Sequence, residues 1–317
     1  MARWVRLAVA LVVVWLLFLV VVPVYAWSKV SKIDAEPIGA RPAGGPGTTY
    51  LLVGSDSREG LTSSQIGDLG TGSAAGQRTD TIILLHVSDG SGPNVMLSIP
   101  RDSYVSVPGH DMQKINSAYA YGGPKLLVRT VEQATGIRVD DYVEIGFTGV
   151  VDVVDAVGGI TVCPKTSIRD PKAGNLRMRR GCQGIDGHTA LDYSRSRDFP
   201  LGDITRALHQ REVIAATGSS AASWQTVVLP WRYWQVTMAG AGSVRVGDNV
   251  GPIGFARFAW AMAHSSGPGT MRCVVPFSSL GTSTSVGSVV TWDEAKANRL
   301  FDQIKTDNTS AISCTAQ

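Results

Sequence analysis

The chain has 317 residues, enough to bury a substantial core in one large domain or two small ones. Hydrophobic residues make up 44% and charged residues only 17%, which excludes a disordered chain and a protein that coats nucleic acid with Lys and Arg. A net charge of +3 creates no whole-molecule field for a polyanion, so any basic site must be local.

Residues 1–6 carry Arg3 and Arg6, and residues 7–28 carry no charge at all. At about 1.5 Å per residue that run spans roughly the 30 Å of a bilayer's hydrocarbon. Trp4 at one end and Tyr25 with Trp27 at the other suit the two interfaces. A signal peptide cleaved after Val24-Tyr25-Ala26 is the alternative, but the apolar run exceeds the usual signal core of about 7–15 residues. A retained signal-anchor is therefore expected. It places a single-pass protein in the cell membrane with its N-terminus inside and the remainder extracytoplasmic. Residues 29–48, with Pro37, Pro42 and Pro46, read as a linker, and 49–317 as one extracytoplasmic domain.

Within that domain Tyr50–Val53, Thr81–Val87 and Asn94–Ile99 read as buried strands, with a Gly/Ser/Thr-rich loop over 59–77 between the first two. Asn116–Tyr121 and Pro124–Thr135 read as helices, stopped at Gly122-Gly123 and Gly136. Thr148–Val157 reads as a buried helix, and Asp203–Ala222 as another with Asp203 as its N-cap. A helix over 253–264, strands over 271–277 and 286–291, and a helix over 292–305 complete the chain. Interleaved strands and helices predict an α/β fold, with helices on both faces of one sheet. His86, inside a strand, is expected to be packed.

Cys163 and Cys182 lie 19 apart, and Cys273 and Cys314 fall in the last fifth of the chain. None forms a C-x-x-C pair, which argues against zinc. An oxidising compartment makes two disulfides the simplest account. Three pairings are possible, and proximity favours Cys163–Cys182 with Cys273–Cys314.

Polar residues gather next to the strands: Asp56 and Arg58 after the first, Arg78 and Asp80 before the second, Arg101 and Asp102 after the third. If the second strand is antiparallel to the others, all three groups meet at one sheet edge. Carboxylates beside guanidiniums suit either structural ion pairs or a magnesium–phosphate site. Between Arg169 and Arg211 there are nine Lys/Arg against five Asp. Lys172, Arg177, Arg179 and Arg180 read as a solvated basic hairpin. Arg195 and Arg197, two apart, would face one way on an extended segment, and Arg206, His209 and Gln210 fall near one face of a helix start.

These segments together resemble the LytR–CpsA–Psr family of cell-wall glycopolymer ligases. The resemblance runs from about Tyr50 to Asp307 and rests on Leu51–Arg58, Arg78–Thr81, Leu97–Asp102, Lys114–Pro124, Asp141–Ile145, Val154–Ile160, Leu191–Arg197, and Asp203 with Arg206 and Gln210. It implies an α-β-α fold: a central mixed sheet with helices on both faces and an apolar lipid pocket. It implies a phosphotransferase that moves a glycopolymer from a polyprenyl-pyrophosphate carrier onto peptidoglycan as a phosphodiester. Its partners would be that carrier, peptidoglycan and membrane lipid, with no nucleic acid.

By motif, Asp56 and Asp80 would bind Mg²⁺ (or Mn²⁺). Arg78, Arg101, Arg195, Arg197, Arg206 and Gln210 would hold pyrophosphate oxygens, with Arg101, Asp203 and Arg206 closest to the chemistry and Asp102 buttressing Arg101. His209 stands where family members often have Arg, which would weaken one phosphate contact. A polyprenyl-pyrophosphate hydrolase and a non-catalytic, anchored lipid-binding regulator are the alternatives.

Overall fold

The computed structural model describes residues 2–55, 79–171, 173–196 and 202–314, with the backbone alone at residues 2, 80, 147 and 202–207. Helix α1 (Ala2–Trp27) leads into β1 (Ser31–Ile33), and β2 (Thr48–Ser55), β3 (Thr79–Val87) and β4 (Asn94–Ser98) follow. A hairpin of β5 (Tyr104–Ser106) and β6 (Met112–Lys114) precedes α2 (Ser117–Thr135), which breaks at Gly122-Gly123 where two helices were expected. Gly123 has φ +62°, a left-handed conformation that glycine adopts without a Cβ clash.

Next come β7 (Asp141–Gly146), α3 (Phe147–Ala156), four three-residue strands β8 (Ile160–Val162), β9 (Ile168–Asp170), β10 (Leu176–Met178) and β11 (Gln183–Ile185), and α4 (Gly187–Arg195). The C-terminal third holds α5 (Gly202–Ala221), α6 (Trp224–Val228), α7 (Pro230–Ser243), β12 (Val244–Gly247) and α8 (Pro252–Ala263). It ends with β13 (Thr270–Val274), β14 (Phe277–Thr284), β15 (Gly287–Trp292) and α9 (Glu294–Lys305).

Seven strands form one mixed sheet in the order β1-β12-β7-β2-β3-β4-β13. β2 runs antiparallel to β3 and parallel to β7, and β4 is antiparallel to β3 and parallel to β13. β2 and β4 therefore point the same way, as the single-edge arrangement requires. The two-residue period of a strand sends Leu51 and Val53 to one face and Tyr50 and Leu52 to the other. Leu51, Val53, Ile82, Leu84 and Leu97 pack with Leu127 and Val131 of α2 and Leu300, Phe301 and Ile304 of α9. Tyr50, Leu52, Ile83, Leu85 and Val143 pack with Phe258 and Ala261 of α8. Cover on both faces explains why these strands read as unbroken apolar runs.

A third cluster joins α3, α4 and α5 to the short strands through Val154, Val157, Val162, Leu176, Tyr193 and Val213. There, β9 and β10 pair antiparallel with Arg177, Arg179 and Arg180 exposed, as a solvated hairpin should. His86 is buried in β3, its ring nitrogens 3.0 Å from Thr49 Oγ1 and from Asp307 Oδ1.

Residues 29–48, expected to be a linker, instead lie along the body. β1 pairs in parallel with β12, and Arg41 forms a largely buried ion pair with Glu132 of α2 at 2.7 Å. α5 begins at Gly202, so Asp203 sits in its first turn instead of capping it. Leu191–Arg195 is helical where an extended segment was expected, and the chain turns extended at Ser196; Arg197, and with it the face it was expected to share with Arg195, lies outside the described residues.

Both disulfides pair as proximity suggested, Cys163 with Cys182 and Cys273 with Cys314. Replacing Cys163 and Cys182 together by serine should lower stability by about 3 kcal/mol, the chain-entropy value for a loop of this length. Urea denaturation monitored by tryptophan fluorescence measures it.

Candidate functional site

The ends of β2, β4, β7 and β13 and the start of β3 share one edge of the sheet. The β2–β3 register changes there: Gly54 pairs with Thr81, but Ser55 pairs with Thr79. Asp80 is thus the extra residue of a β-bulge, a device that re-aims a side chain and recurs beside active sites. Asp56 directly follows Ser55 in the chain. Gly54 permits close approach at this point, since an added Cβ would lie 2.9 Å from the Thr81 side chain.

Beside that edge, between the sheet and its covering helices, is a cavity of about 250 Å³. Leu52, Val143 and Ile145 come from the sheet, Val153 and Val154 from α3, Val213 and Ile214 from α5, and Phe258 and Met262 from α8. The polar side chains in its lining are few: Thr81, Ser194, Arg195, Gln210 and Thr217. Arg195 is the last residue of α4, where helix carbonyls favour a cation, and Gln210 is buried on α5. An apolar cavity with a guanidinium and an amide in its wall suits a ligand with a hydrocarbon tail and an anionic head.

Arg101 lies just beyond β4, outside that lining. Its Nε is 3.3 Å from Asp102 Oδ2, and Lys114 Nζ approaches Asp102 Oδ1 at 2.9 Å. Asp102 is buried, so it holds Arg101 in place as expected. Of the other expected site residues, Asp56, Arg78 and Arg197 lie outside the described residues, and Asp80, Asp203 and Arg206 are described by backbone alone. The structure therefore brings Arg195 and Gln210 together and leaves Arg101 on the neighbouring strand end. Among the described residues no group of three or more His, Cys, Asp or Glu could hold a metal ion. The carboxylates expected to hold Mg²⁺, those of Asp56 and Asp80, lie outside the described side chains.

Two features had no assigned role from sequence. Glu144 of β7, opposite Val53, is buried and accepts hydrogen bonds from Tyr119 at 3.0 Å and Tyr142 at 2.7 Å, and it forms an ion pair with Arg245 of β12. Tyr119 also engages Ser55, so the network reaches the end of β2. Burial, then the Glu144 charge, pushes the Tyr119 phenol up to about 12. The visible signal was a glutamate inside an otherwise apolar strand, Tyr142-Val143-Glu144-Ile145. Arg211 is the second feature: it is buried beside β13, donates to the Cys273 carbonyl at 3.1 Å, and has its pKa lowered to about 10, chiefly by burial.

His209 is stacked on Tyr193 with ring centroids 4.0 Å apart, and Tyr193 in turn donates to Glu212 at 2.7 Å. His209 therefore serves packing behind α4. Burial holds its imidazole below the ordinary 6.5, against smaller opposing effects of Glu212 and the Tyr193 backbone.

The sheet between two helical layers, with an apolar cavity beside its edge, defines an α-β-α protein, and solved structures share that fold. The LytR-Csp2A-Psr enzyme from Actinomyces oris superposes with a TM-score of 0.67 at 20% identity, covering 88% of this chain and 96% of that one. The LytR_cpsA_psr family profile matches residues 29–241, and the chain belongs to that family. The probable cell wall biosynthesis protein LcpB of Corynebacterium glutamicum is 45% identical over 300 residues, 94% of this chain and 69% of LcpB. The polyisoprenyl-teichoic acid–peptidoglycan teichoic acid transferase TagU of Oceanobacillus iheyensis is 37% identical over 184 residues, 56% of this chain and 52% of TagU. The profile takes in residues 29–48, in keeping with their place along the body.

Two outcomes follow from the site. Glu144→Ala should destabilise the protein by about 3 kcal/mol or more, because Arg245 and two tyrosine hydroxyls lose their shared acceptor; thermal unfolding checks it, and a second change, Arg245→Leu, should recover part of the loss. The unfolded chain protonates His209 more readily than the folded one, so its contribution is complete above about pH 6.5 and is lost as pH falls. The urea midpoint should therefore drop more between pH 7.5 and 5.5 in the native protein than in His209→Phe.

Proposed function

We propose that this protein transfers a glycopolymer from a polyprenyl-pyrophosphate carrier onto peptidoglycan as a phosphodiester, at the outer face of the membrane that α1 spans. The observation that carries this reading is the apolar cavity with Arg195 and Gln210 in its wall, beside a sheet edge that ends in Asp80 and Arg101. The cavity takes the prenyl chain, which leaves the pyrophosphate at the polar edge. Relatives named as teichoic acid transferases and cell wall biosynthesis proteins support the same class of reaction. One helix among the described residues is long and apolar enough to cross a membrane.

Breaking a pyrophosphate bond develops charge on the transferred phosphoryl group and on the departing prenyl phosphate. Arg195 and Gln210 hold oxygens at the mouth of the cavity, and Arg101, fixed by Asp102, holds them from the neighbouring strand end. Arg78, Arg197 and Arg206 complete the cationic ring, and Asp203 orients it. Asp56 and Asp80 would hold Mg²⁺, which supplies further neutralisation of the diphosphate when bound. The acceptor hydroxyl of peptidoglycan attacks phosphorus, the P–O bond to prenyl phosphate breaks, and the hydroxyl proton passes to solvent or a nearby base.

The test uses the full chain in vesicles with a labelled lipid-linked donor and peptidoglycan. Arg195→Ala and Arg101→Ala should each lower polymer transfer by about a hundredfold or more, the usual cost of removing a transition-state charge partner. Phosphate release without coupled polymer would point to hydrolysis, and unchanged transfer in both variants to a non-catalytic role.

A further inference from the structure

Helices α6 and α7 were not legible as elements of the fold, and nothing above uses them. Their exposed side chains are unusual for a water-facing surface: Trp224 is 71% exposed, Trp231 60% and Trp234 42%, with Val227 and Val228 beside them. Residues 213–247 contain no Asp or Glu, and their only charges are Arg232 and Arg245. Arg232 is turned inward, its guanidinium donating to Gln225 Oε1 at 2.9 Å and to the Val157 carbonyl at 3.0 Å. Arg245 is paired with Glu144. The outward face of this hairpin therefore presents indoles and valines without a net charge to keep it in water.

The same hairpin packs against α1. Tyr233 packs tilted against Phe18 and Trp234 stacks on Tyr25, with centroids 6.0 and 5.8 Å apart. Val22 and Ala26 of α1 are buried, while most of that helix is exposed. Tyr233 Oη also donates to the Leu19 carbonyl at 2.9 Å. In a regular helix that carbonyl would accept from the amide four residues on, but residue 23 is proline and has no N–H. Tyr233 thus satisfies a backbone acceptor that α1 cannot satisfy itself. In hydrocarbon such a group has no water to turn to.

Depth follows from the helix. Leu19 lies about 12 Å from Trp27 along the axis at about 1.5 Å per residue. Trp27 and Tyr25, with Lys32 and Lys29 against their rings at 4.5 and 5.3 Å, have the composition of a headgroup-level belt. Tyr233 therefore reaches the anchor well below that belt.

We propose that α6 and α7 are embedded in the outer leaflet beside α1, with Trp224 and Trp231 against lipid acyl chains and Trp234, stacked on Tyr25, at the level of the headgroup belt. The inference rests on α1 being a membrane anchor and adds where the catalytic domain enters the bilayer. It also gives the prenyl chain its route. Gly240, on the same helix as Trp231 and Trp234, lines the apolar cavity, so a tail following α7 passes from bilayer to pocket without crossing water.

The experiment places the full chain in vesicles of phosphatidylglycerol and phosphatidylethanolamine that contain a phospholipid with a diazirine on its acyl chain. After irradiation, mass spectrometry locates the labelled peptides. Label is expected within 2–27 and within 224–234. Trp224→Ser with Trp231→Ser, both exposed, should cut the second at least fivefold and leave the first unchanged. Label in 2–27 with none in 224–234 overturns the leaflet insertion alone, whereas no label in 2–27 overturns the anchor as well. Hydrogen exchange tests the tyrosine contact: Tyr233→Phe should speed exchange across α7 about fivefold, and should have no effect once Pro23→Ala returns an amide to the Leu19 carbonyl. An equal effect in both backgrounds overturns the role given to Tyr233.

Discussion

Everything in this fold depends on β2 being enclosed. It is hydrogen-bonded to β7 on one side and β3 on the other, and its side chains are covered on both faces by separate apolar clusters. A strand held in this way meets polar surroundings only at its tip, so chemistry can be placed there and nowhere else along it. The parallel partners β7 and β13 bring their own tips to the same edge through β2 and β4. That edge receives the bulge at Asp80, the turn that carries Arg101, and, through Gly54 and Thr81, part of the wall of the apolar cavity.

Close to that tip the protein accepts an expensive arrangement. Burying Glu144 is tolerable only because two tyrosine hydroxyls and Arg245 surround it. The gain is stiffness: β7, β12, α2 and the end of β2 are tied through one carboxylate. If the site holds a diphosphate as proposed, it benefits from a backing that does not yield when charge is drawn towards it. Arg101 has the same design on the other side, with Asp102 shared between it and Lys114.

The strands β2, β3 and β4 were legible because double-sided burial writes them as continuous runs of Leu, Ile and Val, and the break in α2 because Gly122-Gly123 interrupts a helical pattern. Arg101 and Asp102 at the end of β4 were legible because polar residues abut that run. The three-residue strands were not, since β1 or β9 carries too little sequence to show a period. Leu191–Arg195 was misjudged because two arginines at i, i+2 suggest an extended chain, while the Asp186 cap that accepts from the Thr189 amide decides for a helix. α6 and α7 were missed for a different reason: a run of Trp, Val and small residues without an amphipathic rhythm has no water-facing side to reveal it.

The short join between α1 and the sheet sets the working distance of the whole protein. Only residues 28–30 separate Trp27 from β1, and β1 is already hydrogen-bonded to β12. A domain mounted this closely has no tether with which to swing outward. If α1 spans the bilayer and the transfer is as proposed, the acceptor must come down to the membrane surface to be reached.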